Sequence, residues 1–231
     1  MKLFQPSESL TVGFLLALTG GLLDAYSYLN RGEVFATAET GNIVLMGINL
    51  AQQNWSGALH YLLPVLAFTA GILAAEWVRR RCDPGEGRPQ RLHWRLPLLL
   101  AECVAILVVS ALPVGPLDPL ANIIISFASA LQVESFRNIQ GYGCVTTMCT
   151  GNLRSGTERM LQYLRTGDKD HGRRAAQYYG IILFFVAGAA IGALCADCMG
   201  QKGVLISLVP LGCAFLMMFE WKTLAGKKKS V

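Results

Sequence analysis

The stretch "CVTTMCTGNLRSG" at residues 144–156 contains the tripeptide Thr150-Gly151-Asn152. The same three letters occur 110 residues earlier, as Thr40-Gly41-Asn42 in "VFATAETGNIVLMG". These residue types are unfavourable inside a helix and favourable at its start, where side-chain oxygens accept from free backbone N–H groups and glycine permits unusual dihedrals. The apolar run that follows the first copy, 42–53, predicts a helix of roughly 18 Å, about half a bilayer.

The composition is that of a membrane protein with several spans. Of the 231 residues, 53% are hydrophobic and 15% are charged, and the mean hydropathy is positive. That is too apolar for an ordinary soluble domain. A spanning helix needs about 20 mostly apolar residues. Six segments approach that length: 10–29, 58–78, 96–113, 118–137, 177–197 and 203–221. The first lacks a basic n-region and a cleavage site, so we expect a permanent helix.

The distribution of basic residues decides between six and eight spans. Lysine and arginine cluster at 78–95, at 154–174 and in the C-terminal tail. If the TGN segments, about 33–53 and 143–164, enter the membrane and return on the same side, the N-terminus and all three clusters lie on one side. If the TGN segments span, the last two clusters move to the other side. The positive-inside rule therefore favours six spans with cytoplasmic termini.

Three spans per half predict that the second half enters the membrane in the opposite orientation. At an offset of 110, Asp24 aligns with Glu134 and Thr37 with Thr147, and both acids stand 16 residues before their TGN. The predicted fold is an all-α membrane protein of about six transmembrane helices. It is a single membrane domain built as a 3+3 inverted repeat, with repeat one at 1–115, repeat two at 116–231, and a broken or re-entrant TGN helix in each.

In such a fold the N-termini of the two half-helices meet near the midplane, where their positive dipole ends can orient a solute. The alternative is a helix start with only a folding role. Asp24 lies in an apolar helix, so it is either neutral and hydrogen-bonded or a titrating group in ion or proton coupling. Glu134 has an internal partner in Arg137. The predicted substrate or ion pathway comprises Asp24, Tyr28, Thr40, Gly41, Asn42, Glu134, Thr150, Gly151 and Asn152.

Charged residues follow the second TGN. Arg154, Glu158 and Arg159 imply that this helix either lines an aqueous vestibule or lies partly in the interface.

Several functional classes have no support in the sequence. The three histidines are far apart, and there is no nucleotide-binding or hydrolase motif, so no enzyme is predicted. No catalytic residue, metal site or cofactor is expected, and Cys195 and Cys198 in "CADC" are interpreted as packing residues.

Two regions of the sequence resemble a known family: "TGGLLDAYSYLNRGEVFATAETGNIVLMG" and "ALQVESFRNIQGYGCVTTMCTGNLRSG". They are similar to the two signature regions of the YoaK family, bacterial multipass membrane proteins with a domain of unknown function. The resemblance covers nearly the whole chain. It implies a bacterial inner-membrane protein and supplies neither substrate nor mechanism.

The leading hypothesis is a secondary transporter or channel for a small solute or ion, with its site between the two TGN segments. The alternative is a membrane scaffold or sensor that transports nothing. The expected partners are the lipid bilayer and a small solute or ion, with no nucleic acid, and a homodimer is left open.

Overall fold

The structure is a computed structural model that describes residues 8–82 and 94–227. The middle of the predicted basic loop and both chain ends lie outside the described residues. The described part is mostly helical, and a two-stranded hairpin interrupts it. Its elements are α1 (Leu10–Asn30), α2 (Glu39–Ala51), α3 (Trp55–Cys82), α4 (Arg95–Ala111), α5 (Asp118–Ser135), β1 (Asn138–Ile139), β2 (Tyr142–Gly143), α6 (Cys149–Thr166), α7 (Lys169–Met199), a 3-10 segment (Gly200–Ser207) and α8 (Leu208–Lys227).

The six predicted apolar segments fall on α1, α3, α4, α5, α7 and the 3-10 segment with α8. Within the described ranges, three helical stretches are long and apolar enough to cross a membrane: Leu10–Asn30, Trp55–Cys82 and Lys169–Met218, the last of 50 residues. Helix α4 has 17 residues and is shorter than the other predicted spans. These lengths and compositions support the predicted membrane character.

Helix contacts occur in matching pairs. Helix α1 packs most extensively on α7, and α5 packs on α3. Helix α2 packs on α3, and α6 packs on α7. Helix α4 contacts α5, and α8 contacts α1. Exchanging α1 with α5, α2 with α6, α3 with α7 and α4 with α8 therefore maps each of these six contacts onto another of the six, while the contacts of the 3-10 segment have no counterpart.

The small residues in these helices permit close approach of backbones. A methyl group on Gly188 of α7 would collide with the carbonyl oxygen of Leu18 in α1. One on Gly71 of α3 would collide with the carbonyl oxygen of Phe127 in α5. Only glycine fits such crossings, so these residues bring the helix backbones close together.

Apolar side chains cover the outside of the bundle as well as its core. The main core combines residues of α1, α4, α5 and α8, including Leu16, Leu99, Ile125 and Leu211. Large apolar side chains nevertheless remain exposed along the outer faces of the long helices, among them Leu73, Trp77, Leu183, Leu194 and Val209. A soluble protein seldom exposes so much continuous apolar surface, whereas lipid covers it at no cost.

Charged residues gather at one end of the bundle, which we call the basic end. Arg95 at the start of α4 pairs with Glu8, 3.4 Å apart, and Arg137 pairs with Glu134. Arg174 of α7 lies 4.0 Å from the ring centre of Tyr142 in the hairpin. The hairpin turns at Gln140 and Gly141, both with positive φ, and Gln140 N–H donates to the Glu8 carbonyl. The N-terminal end of α1 therefore lies at the basic end.

The opposite end of the bundle is organised by Arg31, and we call it the Arg31 end. This arginine follows α1, and its side chain is fully buried. Its guanidinium donates to Tyr26, Asp118 and three backbone carbonyls around the end of α4, at 2.8–3.1 Å. Helix α1 thus runs about 30 Å from the basic end to the Arg31 end.

Candidate functional site

Both segments that precede the TGN helices α2 and α6 return to the middle of α1. After α1 ends, Thr37 donates from its N–H and its hydroxyl to the Asp24 carboxylate, at 2.6 and 2.8 Å. Asp24 lies six residues before the end of α1, about 9 Å inside it. From the other end, Thr147 reaches Gly20, where an added methyl group would lie 2.5 Å from its Cγ2. Helices α2 and α6 therefore begin deep in the bundle.

The TGN tripeptides lie within the first turn of these helices and are not their caps. Helix α2 begins at Glu39 and α6 at Cys149. The cap residues Ala38 and Met148 have nearly equal dihedrals, with φ of −90° and −89° and ψ of 63° and 73°, and neither makes a side-chain cap bond. The predicted capping role is therefore wrong, since each cap stands two residues before the threonine of its TGN. Helix α2 begins three residues before the predicted position 42.

The asparagine of each TGN fixes the chain that leads into its helix. Asn42 donates from Nδ2 to the Phe35 carbonyl at 2.8 Å, and its Oδ1 accepts from Phe35 N–H at 3.0 Å. Asn152 likewise donates to the carbonyl of Val145, seven residues before it, at 2.8 Å. Both asparagines are buried. The duplicated motif therefore has a clear structural use in both halves.

Replacing Asn42 with alanine is expected to lower the free energy of unfolding by about 1–3 kcal/mol, because it removes the partners of the partly buried backbone N–H and carbonyl of Phe35. The matched control is Asn49→Ala, since the side chain of Asn49 bonds to Leu45 and Asn54, which are close to it in the chain. Thermal unfolding in detergent measures both. An Asn42 variant as stable as the Asn49 variant would contradict the proposed anchoring.

A cavity of about 680 Å³ lies between the starts of the two TGN helices. Its walls come from α1, α2, α3, α6, α7 and the two return segments. The lining includes Asp24, Tyr28, Phe35, Thr37, Glu39, Thr40, Phe68, Thr147, Met148, Cys149, Thr150, Gly151 and Phe185. Apolar and aromatic walls with a few polar groups are typical of sites for small molecules.

The structure brings together five of the nine predicted pathway residues: Asp24, Tyr28, Thr40, Thr150 and Gly151 all line the cavity. Gly41 is packed against the ring of Phe35. Asn42 and Asn152 face the return segments. Tyr28 stacks on Phe35, with ring centres 4.8 Å apart, and so lines the wall without bonding to Asp24.

Glu134 does not reach the cavity. It lies near the end of α5, where its carboxylate is 3.0 Å from Arg137 and 3.8 Å from Arg79. The connection before α6 spans 136–148, while the one before α2 spans only 31–38. The offset of 110 therefore relates α2 to α6 but does not relate α1 to α5. Counted from the cap residues Arg31 and Phe136, the position of Asp24 corresponds to Ser129. Matching the two acids by sequence offset therefore misplaced Glu134.

Glu39 is the cavity acid that the sequence prediction missed. Its Oε2 accepts from Asn42 at 2.9 Å, and its buried Oε1 has no hydrogen-bond partner among the described residues. The signal was present, since a carboxylate stands directly before the TGN in an otherwise apolar stretch. Among the residues that line this cavity there is no lysine, arginine or histidine. The carboxyl groups of the site, Asp24 of α1 and Glu39 of α2, therefore lie beside the segment that leads into α2.

Comparisons with known proteins agree with this membrane architecture. Residues 12–217 match the family described as "Protein of unknown function (DUF1275)". The chain belongs to this family. It is also 26% identical over 188 residues to "UPF0700 transmembrane protein YoaK" of Bacillus subtilis (strain 168), an alignment that covers 78% of this chain and 80% of that protein. The predicted family resemblance is thus confirmed. No solved structure gives a significant match.

Proposed function

We propose that this family member is a secondary transporter or channel for a small solute or ion. The observation that carries the proposal is the open cavity bounded by the starts of both TGN helices, with Asp24 and Glu39 in its lining. Opposed half-helices around a site at mid-depth are a recurrent construction in transporters. Irregular backbone at that depth is tolerated when it is buried in protein or lines a cavity.

The proposed topology is six crossings in two inverted halves, with α2 and α6 as re-entrant helices. Each TGN helix begins beside the middle of α1. Helix α2 leads back to α3, whose His60 bonds to Gly32 near the Arg31 end at 2.8 Å. Helix α6 leads into α7, whose Gln177 bonds to Gln140 at the basic end at 2.7 Å. The matching helix contacts, α1 on α7 and α5 on α3 among them, also support two halves of similar construction. The positive-inside rule assigns the basic end to the cytoplasm of a bacterial inner membrane.

Access to the cavity differs between the two ends. Its α1 lining runs from Asp24 to Leu29, the half of the helix nearer the Arg31 end. Toward the basic end, Thr147 packs on Gly20, and Ile139 of the hairpin packs on Gly13. We infer a state that is closed toward the cytoplasm, so transport requires a second state in which that packing separates.

Two-sided chemical access to the cavity tests this proposal. In a variant without native cysteines, Thr40→Cys places a thiol on the cavity wall. We expect a membrane-impermeant thiol reagent to label it in whole cells and also in inside-out vesicles, because alternating access exposes the site to each side in turn. The matched control is Val44→Cys, one turn along α2, on an exposed apolar face that does not line the cavity.

The outcomes separate the competing functions. Labelling of the Thr40 position from one side only would favour a receptor or sensor over a transporter. Labelling from neither side, with the protein folded, would favour a scaffold with a closed interior. Equal labelling at positions 40 and 44 would mean that the reagent reaches the lipid-facing surface, and the cavity argument would then fail.

A further inference from the structure

A polar cleft of about 470 Å³ opens at the basic end of the bundle. It lies where α3 ends, α4 begins and α5 leads into the hairpin. Unlike the cavity at the TGN helices, this cleft is lined mostly by charged side chains. Three glutamates line it together with four arginines, Arg79, Arg80, Arg95 and Arg137. The lining therefore carries one positive charge in excess.

The glutamates of the cleft leave guanidinium donors available. The Glu134 carboxylate is shared between Arg137 at 3.0 Å and Arg79 at 3.8 Å. The Glu76 carboxylate is shared between Arg79 at 2.9 Å and Arg80 at 2.8 Å. A guanidinium has five N–H donors, so within the described part of the chain these ion pairs do not saturate the arginines.

The arginines of the cleft repel one another, and three of them are accessible from outside. Arg95 lies close enough to Arg137 and Arg79 for their like charges to oppose one another. The side chains of Arg80, Arg137 and Arg79 are 79%, 46% and 31% exposed. An anion in the cleft would relieve the repulsion and accept from the exposed guanidinium groups, whose geometry suits the oxygens of a phosphate.

Two tryptophans lie at the level of this cleft. Trp94 is part of its lining, and the Arg95 guanidinium is 5.4 Å from the centre of that ring. Trp77, near the end of α3, is exposed, and the Arg81 guanidinium is 4.7 Å from its ring centre. Tryptophan and arginine at the ends of apolar helices are typical of the membrane–water interface. The cleft therefore lies at the depth of lipid headgroups.

An apolar stripe on α3 leads away from the cleft toward the middle of the bundle. Exposed residues at positions i, i+7, i+11 and i+14 share one face of this helix: Leu66, Leu73, Trp77 and Arg80. The helix rises roughly 21 Å from the first to the last of them, about the thickness of one leaflet with its headgroups. The stripe thus has the length and the polarity of one phospholipid.

We propose that the cleft binds the headgroup of an anionic phospholipid of the cytoplasmic leaflet. The phosphate accepts from the exposed guanidinium groups of Arg79, Arg80 and Arg137, and an acyl chain lies along Leu73 and Leu66. Basic pockets between helices on the cytoplasmic side suit such headgroups. The inference uses the proposed orientation of the basic end and does not depend on transport.

Lipid binding to purified full-length protein in a neutral detergent tests the proposal. Phosphatidylglycerol and phosphatidylcholine with identical acyl chains differ in headgroup charge, and inorganic phosphate carries the charge without the chains. We expect native mass spectrometry to show phosphatidylglycerol bound at least about tenfold more tightly than phosphatidylcholine, because several basic groups act on its headgroup. Phosphatidylglycerol, and not millimolar phosphate, is expected to raise the melting temperature, since the site takes both headgroup and chain.

Variants that remove a positive charge are expected to weaken the lipid preference. Arg80→Gln and Arg137→Gln should each lower the preference for phosphatidylglycerol about fivefold, the effect of one basic group near an anionic headgroup. The matched control is Arg173→Gln, since Arg173 is exposed on α7 and does not line the cleft.

A variant that removes a negative charge separates lipid binding from a structural role of the ion pairs. Glu76→Gln takes away the carboxylate that competes for Arg79 and Arg80, so it is expected to strengthen phosphatidylglycerol binding about fivefold. Ion pairs that only hold the helix ends together predict no such gain.

Four results would overturn the inference. Equal binding of the two lipids is one, and equal loss of the preference in Arg173→Gln and the cleft variants is another. Weaker lipid binding, or no gain, in Glu76→Gln is the third. Stabilisation by free phosphate equal to that by phosphatidylglycerol is the fourth, and it would assign the cleft to a soluble anion. The labelling test at position 40 concerns the other cavity, so the two proposals fail separately.

Discussion

Replacing Arg31 with alanine is expected to be the most destabilising single change in the described part of the chain. The guanidinium makes five hydrogen bonds, to Tyr26, Asp118 and the backbone carbonyls of Val109, Leu112 and Pro113. Alanine would remove the arginine donor from all five acceptors, of which the Val109 carbonyl still accepts from the Leu112 N–H. Removing one partner of a buried charge pair costs about 3–5 kcal/mol.

The measurement is thermal unfolding of the purified protein in detergent, together with the yield from membranes. A loss of that size lowers the melting temperature by on the order of 10 °C in a chain of this length. Arg31→Lys is expected to be intermediate, since an ammonium group has three donors and cannot reproduce the planar arrangement of the guanidinium.

The control for Arg31 is Arg137→Ala. The side chain of Arg137 is 46% exposed and pairs with Glu134. Partly exposed pairs contribute about 0–1 kcal/mol, so a small change is expected. If Arg31→Ala had the same melting temperature as Arg137→Ala, the buried network would add no net stability, and the Arg31 end would be held by apolar packing alone.

The helices could be predicted from the sequence, whereas the hydrogen bonds of Arg31 could not. Apolar segment length is a local property of the chain, so all six predicted segments fall on helices. The partners of Arg31 are mostly backbone carbonyls about 80 residues away, and a carbonyl has no signature in the amino-acid letters. A basic residue after an apolar helix predicts an interfacial anchor, whereas this one is fully buried.

The candidate site was predictable to a similar degree. The repeated TGN located both helix starts, because its asparagine has the same local role in each half. The matched acid was not predictable from the offset. The hairpin that lengthens the second connection changes the register between α5 and α6, so Glu134 and Asp24 lie at different depths. Insertions shift such correspondences without changing the motif on either side.

The second large expected effect concerns the asymmetry between Thr37 and Thr147. Thr37→Val removes a donor from the buried Asp24 carboxylate and is expected to lower the free energy of unfolding by about 1.5–3 kcal/mol. Thr147→Val removes a buried hydroxyl that has no described partner, so its expected effect is near zero or slightly stabilising. Unfolding in detergent without added solute compares the two.

Asp24 variants establish whether the Thr37 effect belongs to this contact. Asp24→Ala leaves the N–H and hydroxyl of Thr37 without their acceptor, so its cost is expected to match or exceed that of Thr37→Val. In the double variant the two costs should not add, because both remove the same interaction. Asp24→Asn keeps one oxygen for the N–H, and the Thr37 hydroxyl can turn to accept from the amide, so a smaller loss is expected.

Additive costs for Asp24 and Thr37 would contradict their coupling, and an equally large cost for Thr147→Val would contradict the asymmetry itself. The expected pattern distinguishes the two helix starts. In the first half, the chain satisfies its own threonine and so fixes the start of α2. In the second half, the equivalent threonine has no partner among the described residues, so the start of α6 keeps its Asn152 anchor without a polar bond that corresponds to the one between Thr37 and Asp24.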